Sequence, residues 1–212
     1  MAAKTAQKGP PISPEAVEVV EANKELIIEF HTLVGGRVTA IHDLFNQIAL
    51  TNNMPGIPAK VVGQLLVLTV EQTKHPGGPV VTPTQLLNAF TTMVEPKDAK
   101  ETFERKVMSS VREKVERLNN AKKVFPQIKG PLTDLHTKVE GDTAKLYAWF
   151  QSLLPPEVQP KFSQDIFCAH VMHTTPGSPA IPLQHFLNGI ESNMDETDTA
   201  EKIIAAVELH MA

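Results

Sequence analysis

The sequence predicts an all-α protein made of two consecutive helical units of about 100 residues each, joined by a long central helix. Apolar residues recur at helical spacing along most of the chain, and no stretch longer than VVT alternates as a β-strand does. A Pro-Gly loop and the helix after it occur twice. An uninterrupted helical stretch lies between the two halves. These observations favour a duplicated helical fold.

Composition limits the class of protein and its surroundings. The 212 residues suffice for one large domain or two small ones, and 42% hydrophobic with 21% charged residues is ordinary for a globular protein. The single cysteine, Cys168, excludes an internal disulfide and suits a reducing compartment. The chain has no apolar signal region at its start and no apolar run of about 18 residues. We therefore expect a cytoplasmic or virion protein with no membrane span, not secreted through a signal peptide.

The first twelve residues differ from the rest of the chain. They are small, polar and proline-rich, and they contain Lys4 and Lys8 but no acidic residue. Such a composition cannot bury a core, so residues 1–12 are predicted to be a flexible N-terminal arm. A neighbouring subunit is the expected docking partner of this arm, which makes the protein a homo-oligomer.

Two helices are predicted at the start of the first unit, which is placed at residues 13–110. Ser-Pro at residues 13–14 supplies an N-cap and a first-turn proline, and Gly-Gly at residues 35–36 ends the first helix. The second helix carries apolar residues from Val38 to Ile48 and stops in the turn sequence TNNMPG. Both helices have one apolar face.

Two more helices are predicted in this unit. Pro58 opens the third, AKVVGQLLVLTVEQT, whose middle is apolar nearly all round and is therefore expected to be buried. The loop HPGGPVV follows. Thr82 then supplies an N-cap and Gln85 completes a capping box for the fourth helix, which extends through Met93.

The central helix is predicted from Lys97 to Pro126, within the stretch Lys97–Lys129. Its apolar residues repeat in steps of three, four and seven, which gives one packing stripe. Pro126 is expected to end the helix, because proline removes a hydrogen bond and forces the preceding residue out of the α region. The stripe consists of Phe103, Val107, Val111, Val115, Leu118 and Phe125.

The stretch 97–129 is basic, with ten Lys or Arg against five acidic residues, while the whole chain has a net charge of −4. Clustered basic side chains bind nucleic-acid phosphates without sequence preference, which makes this helix the candidate contact surface for nucleic acid. The alternative is a solvated helix whose charges pair along its own surface. The candidate nucleic-acid-binding residues are Arg105, Lys106, Arg112, Arg117, Lys122, Lys123 and Lys129.

The second unit is placed at residues 111–212. A helix is predicted to start at residues 130–131 (Gly-Pro) and to end near Leu154. The sequence then continues with PKFSQDIFCAHVMHTT, the loop PGSPAIP, the helix LQHFLNGIES and a last helix from about Asp198 to Met211. The order of elements repeats that of the first unit.

The two units also share residues. Residues 76–90 and 176–190 align without a gap, with identical Pro, Gly, Pro, Leu and Asn at five positions. Earlier matches, such as His31-Thr32 with His136-Thr137, need a different offset. We interpret this as a tandem duplication, in which a helical unit became a pseudo-dimer. The alternative is that Pro-Gly loops before helices resemble each other through local chemistry alone.

Motifs for catalysis or metal binding are absent from the sequence. Cys168, His170 and His173 are the nearest approach to a metal or nucleophile site, but Cys168 and His170 are two residues apart and face different sides of a helix. A site would need distant ligands such as His136 or His185. We therefore predict no catalytic residues, no metal and no cofactor.

The sequence favours a non-enzymatic, self-assembling structural protein, such as a viral coat, matrix or nucleocapsid-type subunit, that contacts nucleic acid through the basic central helix. Its alternative is a helical adaptor or regulatory module that binds protein partners in a groove. A third hypothesis is an enzyme with a dispersed active site, for which a deep cleft of His or carboxylates would be the evidence.

Overall fold

The computed structural model describes residues 14–94 and 100–212. Within this part of the chain the secondary structure is helical, with only two isolated β-bridges, which confirms the all-α prediction. The chain forms two compact units, Met1–Val115 and Glu116–Ala212. The predicted N-terminal arm (1–12), Ser13 and the first three residues of the predicted central helix (97–99) lie outside the described residues.

Unit 1 has a helical core in which aromatic rings meet. Phe30, Phe45 and Phe90 are fully buried, and the rings of Phe45 and Phe90 pack edge to face with centroids 5.4 Å apart. This geometry suits the opposite charges of a ring's face and edge. The helices of unit 1 are α1 (Pro14–Ala22), α2 (Lys24–Val34), α3 (Val38–Thr51), α4 (Ala59–Leu65), α5 (Val70–Thr73), α6 (Pro83–Met93) and α7 (Lys100–Phe103), and a π-helical turn (Glu104–Met108) leads into α8 (Ser109–Lys138).

Unit 2 is built round Trp149, whose ring packs edge to face on Phe186 with centroids 5.6 Å apart. Both side chains are fully buried. Unit 2 contains the remainder of α8, α9 (Thr143–Leu153), a 3₁₀ turn (Gln159–Lys161), α10 (Gln164–Ile166), a π-helical turn (Phe167–Val171), α11 (Leu183–Asn193) and α12 (Ala200–Met211).

A histidine clamp joins distant parts of unit 1. His31 Nε2 lies 2.7 Å from Val81 O, Val81 N donates to Gly36 O at 2.9 Å, and Val38 N donates to Pro79 O at 2.9 Å. Gly36 has φ 65°, and a Cβ there would lie 2.5 Å from Val81 O. Only glycine fits at this position. The three contacts of the clamp tie the end of α2 to the loop before α6.

Unit 2 contains a histidine clamp with the same contacts. His136 Nε2 lies 2.7 Å from Ile181 O, Ile181 N donates to Gly141 O at 2.9 Å, and Thr143 N donates to Pro179 O at 3.1 Å. Gly141 has φ 68°, and a Cβ there would lie 2.9 Å from Ile181 O. The end of α8 is tied in this way to the loop before α11.

The prediction that Pro126 ends the central helix is wrong. Helix α8 continues through Pro126 and Pro131 to Lys138, so the predicted new helix at residues 130–131 is also wrong. The reason is tertiary packing, since one face of this part of α8 lies in the core of unit 2. Burial of each large aliphatic side chain contributes about 1.5–3 kcal/mol, and together these outweigh about 3 kcal/mol for each proline. The buried residues are Val124, Ile128, Leu132 and Leu135.

The first predicted helix is divided in the structure. Asn23 has φ −108° and ψ 9° and separates α1 from α2. Its side-chain amide donates to Val19 O and to Glu104 Oε2, both at 3.0 Å. Asn competes with the helical backbone in this manner, which explains the break. The predicted end of the helix is confirmed, because Gly35 is a left-handed C-cap at φ 61°.

The prediction of one third helix with a buried middle is wrong in its continuity and only partly right in its burial, since Val62 and Leu66 are fully buried. The stretch forms two short helices, α4 and α5, and Val67 between them has φ 48°. Val61, Val67 and Val70 are exposed. Elsewhere the elements match the sequence: α3, α6 with its Thr82 capping box, α11 and α12 lie where they are predicted.

Candidate interaction surfaces

The basic candidates of unit 1 lie in the π-helical turn and the first turn of α8. Arg105 and Lys106 are exposed. Arg112 is exposed too, but its guanidinium lies 3.4 Å from Glu104 Oε1. Such an exposed pair contributes little to stability, yet it offsets the charge that the nucleic-acid hypothesis needs. Arg105 and Lys106 therefore retain the basic character in this unit.

One basic candidate of unit 2 belongs to an ion-pair cluster. Arg117 lies 3.4 Å from Asp195 Oδ2 and 3.2 Å from Glu196 Oε2. Partial burial raises the pKa of Asp195, but hydrogen bonds from Thr197 N and Oγ1, with the charge of Arg117, outweigh this and lower the pKa. Arg117 therefore holds the loop before α12.

The other three candidates of unit 2 are exposed on α8. Lys122 and Lys129 are seven residues apart and so project within about 20° of each other. Lys123 has a neighbour in Glu201, whose pKa is lowered by hydrogen bonds from its own backbone and from Thr199, and further by the charge of Lys123. Lys122 and Lys129 form no ion pair with any residue that the structure describes. They are the available cations of this helix face.

Large apolar side chains are exposed in one part of unit 1. Of nine such residues in the described chain, five lie between Leu50 and Val70, which we call the apolar surface segment. Their exposed fractions are 67% for Leu50, 57% for Met54, 41% for Val61, 72% for Val67 and 69% for Val70. Exposed apolar side chains that lie this close together in the chain are candidates for an interaction surface.

The turn at Val67 is held by polar side chains beneath it. Gln85 Nε2 donates to Val67 O at 2.8 Å, and Gln72 Nε2 donates to Gln85 Oε1 at 2.6 Å. Thr69 and Gln72 form a capping box that starts α5. A β-branched residue with positive φ is strained, and strain of this kind concentrates at functional sites. Val67 is thus presented to solvent on a fixed turn.

Unit 2 contains a cavity of about 320 Å³. Its floor is apolar, with Ile190, Met194 and Ile203 buried beneath it. Its rim is polar. The lining residues are Phe150, Leu153, Leu154, Pro155, Ile190, Asn193, Met194, Asp195, Thr197, Asp198, Lys202 and Ile203.

The rim of the cavity is ordered by hydrogen bonds. Asn120 Nδ2 on α8 donates to Asp195 O at 2.7 Å and to Asp198 O at 2.9 Å. Asp198 accepts from Asp195 N at 2.9 Å and from Lys202 Nζ at 2.9 Å. The surrounding segment 191–201 contains five acidic residues and no Lys or Arg. The rim is therefore ordered, and the acidic residues of this segment outnumber the cations beside them, Lys202, Arg117 and Lys123.

The residues considered for metal or nucleophilic chemistry do not come together. Cys168 is buried in the π-helical turn, whereas His170 and His173 are exposed. His136 belongs to a histidine clamp, and His185 Nδ1 lies 3.2 Å from Met172 O. Across residues 14–94 and 100–212, no three His, Cys, Asp or Glu side chains are placed to hold a metal ion.

Sequence reasoning missed both the apolar surface segment and the cavity. The all-round apolar pattern of residues 59–73 is the same for a buried helix and for an exposed apolar surface. One signal was present: Thr69-Val-Glu-Gln72 is a capping-box sequence, and it marks a new helix start within the predicted helix. The cavity depends on contacts between distant helices and left no pattern in the sequence.

No helix of the described chain combines the length and the apolar character needed to cross a membrane. Comparison with protein-family profiles, with curated proteins and with solved structures finds no match to this chain.

Proposed function

We propose that this protein is a non-enzymatic structural subunit that assembles with copies of itself, of the coat, matrix or nucleocapsid type. The observation that carries the proposal is the apolar surface segment of unit 1, in which Val67 stands on a strained turn. Removing apolar area from water contributes about 25 cal/mol per Å². Exposed valines on a fixed turn lose little conformational entropy on binding, which favours association.

The test replaces the two most exposed valines by aspartate in one variant, Val67→Asp with Val70→Asp. We expect the wild-type mass from light scattering to rise with protein concentration, and the variant to keep the mass of a single chain. Val17→Asp is the matched control, because Val17 is 52% exposed but lies on α1. A wild-type protein that stays a single chain at all concentrations contradicts the proposal and favours the alternative, an adaptor that binds another protein through this surface.

We also infer that the two units are copies of one ancestral unit. The two histidine clamps support this, since their hydrogen bonds correspond one to one. They relate His31 to His136 by an offset of 105, and this offset extends without a gap from residues 16–49 to 121–154. Buried positions correspond as well, for example Val19 with Val124 and Leu44 with Trp149. Experimental structures of the two units are expected to superpose over these ranges; different clamp geometry would contradict the inference.

Contact with a nucleic-acid backbone is a second candidate function, favoured by the exposed Lys122, Lys123 and Lys129 on α8. Phosphate contacts of this kind weaken as salt concentration rises. We expect the wild type to bind a generic RNA in low salt, and Lys122→Glu with Lys129→Glu to weaken binding by about tenfold or more. Lys161→Glu, an equally exposed charge reversal off the central helix, is the control. Binding equal in all three proteins places the RNA contact elsewhere.

A further inference from the structure

We propose that the cavity of unit 2 is the docking site for the N-terminal segment (1–12) of a neighbouring copy of the chain. This inference rests on the proposed function, because it names one contact by which copies would associate. Two features of the cavity favour this segment as its ligand. They are the apolar floor and the charge of the rim.

The floor matches a short apolar and proline-rich segment. Side chains of Phe150, Leu153 and Leu154 form the partly exposed wall, and Pro155 lies at its edge. The volume of about 320 Å³ is enough for a few side chains. Residues 10–12 are Pro-Pro-Ile. The lining offers one aromatic side chain, Phe150, beside its aliphatic residues, and a proline-rich segment packs on such a surface at low entropic cost, since proline loses little freedom on binding.

The rim and the segment have opposite charges. Residues 191–201 carry five acidic side chains, which outnumber the three cations beside them, Lys202, Arg117 and Lys123. The segment 1–12 contributes Lys4 and Lys8 and no acid. Opposite charges at the rim favour encounter and fix the orientation of the bound segment. If Ile12 occupies the cavity, the residues before it, which include both lysines, are the ones that meet the rim.

The reach of the segment suits a contact between copies. Twelve extended residues span at most about 40 Å, which exceeds the width of a cavity of this volume several times over. Because donor segment and acceptor cavity are different surfaces, each copy can give one segment and accept another. Such a contact closes as a dimer when two copies exchange segments reciprocally, and it generates rings or open filaments when the segments pass from copy to copy.

The test measures the docking contact directly. A fluorescein-labelled peptide of residues 1–12 is titrated with the full chain and followed by fluorescence anisotropy. We expect saturable binding that weakens with salt. Leu154→Asp in the protein, or Lys4→Glu with Lys8→Glu in the peptide, is expected to weaken binding by about tenfold or more. Leu209→Asp is the matched control, because Leu209 is 74% exposed on α12 and does not line the cavity.

A second measurement separates this inference from the proposed function. Lys4→Glu with Lys8→Glu in the full chain removes the positive charge of the segment, and it is expected to reduce the mass of the assemblies. Assemblies of wild-type mass together with no peptide binding overturn the inference and leave self-assembly intact. Peptide binding without any assembly overturns both the proposed function and docking between copies. If Leu154→Asp fails to fold, the lysine variants decide.

Discussion

Glu140 has the left-handed conformation that its position at the end of α8 demands. Its φ is 56°, and Gly141 N beyond it donates to His136 O at 2.9 Å, as in a Schellman motif. In unit 1 the same place after α2 is taken by Gly35 at φ 61°. A left-handed conformation costs a residue with a Cβ about 1–2 kcal/mol, and glycine avoids this cost.

Glu140→Gly is therefore expected to stabilise the protein by about 1 kcal/mol, the strain relieved less the greater freedom of glycine in the unfolded chain. Thermal unfolding checks this as a rise in Tm. Glu140→Gln is the control for charge, because it keeps the Cβ. An equal rise in both variants would show that charge and not backbone strain is responsible.

The Asp195 carboxylate is expected to make the free energy of unfolding depend on pH. Partial burial raises its pKa, but hydrogen bonds from Thr197 and the Arg117 charge lower it below the ordinary value. A carboxyl group whose pKa is lowered by folding stabilises the native state above its unfolded pKa, near 3.9, and this contribution is lost as pH falls through the folded pKa.

Asp195→Asn is expected to be less stable than the wild type near pH 7, by an amount that shrinks toward about pH 3. Free energies of unfolding from urea titrations at several pH values measure the difference. A difference in the free energy of unfolding that stays constant with pH contradicts this account. It would show that the shape of the side chain at residue 195 matters and its ionisation does not.

At the scale of elements, α8 shows how far packing overrides local preference. Pro126 is exposed, and its missing N–H leaves Lys122 O without the usual i→i−4 donor. Pro126→Ala supplies that donor. We expect a gain of about 1–3 kcal/mol in the free energy of unfolding. Pro156→Ala, in the loop after α9, is the control and should change stability little; equal gains in both would mean that Pro126 costs the helix nothing.

The turn between α4 and α5 combines strain with exposure. Val67→Gly relieves the positive φ and removes an exposed side chain, so it is expected to raise the free energy of unfolding by about 1 kcal/mol. The same change removes one apolar contact of the proposed interface, so the assemblies should become smaller. Unfolding and light scattering on one sample measure both effects. Loss of stability with unchanged assembly would contradict the role given to this turn.

Elements with complete local signals were predictable from the sequence. Thr82 and Gln85 placed the start of α6, and Gly35 placed the end of α2. Elements decided by distant contacts were not. Asn23 breaks a helix with an amide bond that reaches Glu104, and the buried face of α8 holds two prolines in a helix. The exposed side of Val67 likewise depends on Gln85, eighteen residues away.

At the scale of the whole molecule, each unit contains a histidine clamp, and the two units expose different surfaces. Unit 1 presents the apolar surface segment, while unit 2 holds the acidic-rimmed cavity. Extended back from Pro76 and Pro176, the gap-free alignment of the two units pairs Val67 with Phe167, which is fully buried. If the proposed duplication holds, this position belongs to the surface in unit 1 and to the core in unit 2.

The histidine clamps have a consequence for the time course of folding. His31 and Val81 are 50 residues apart, and His136 and Ile181 are 45 apart, so each clamp closes a long loop within its unit. Closing such loops is entropically costly, and contacts of this separation form after local helices. Removing a late contact speeds unfolding and hardly slows folding. Stopped-flow measurements on His31→Ala are expected to show this, and a slower folding phase would place the clamp in the nucleus instead. Each clamp is therefore expected to lengthen the lifetime of its folded unit, because it slows unfolding without speeding folding.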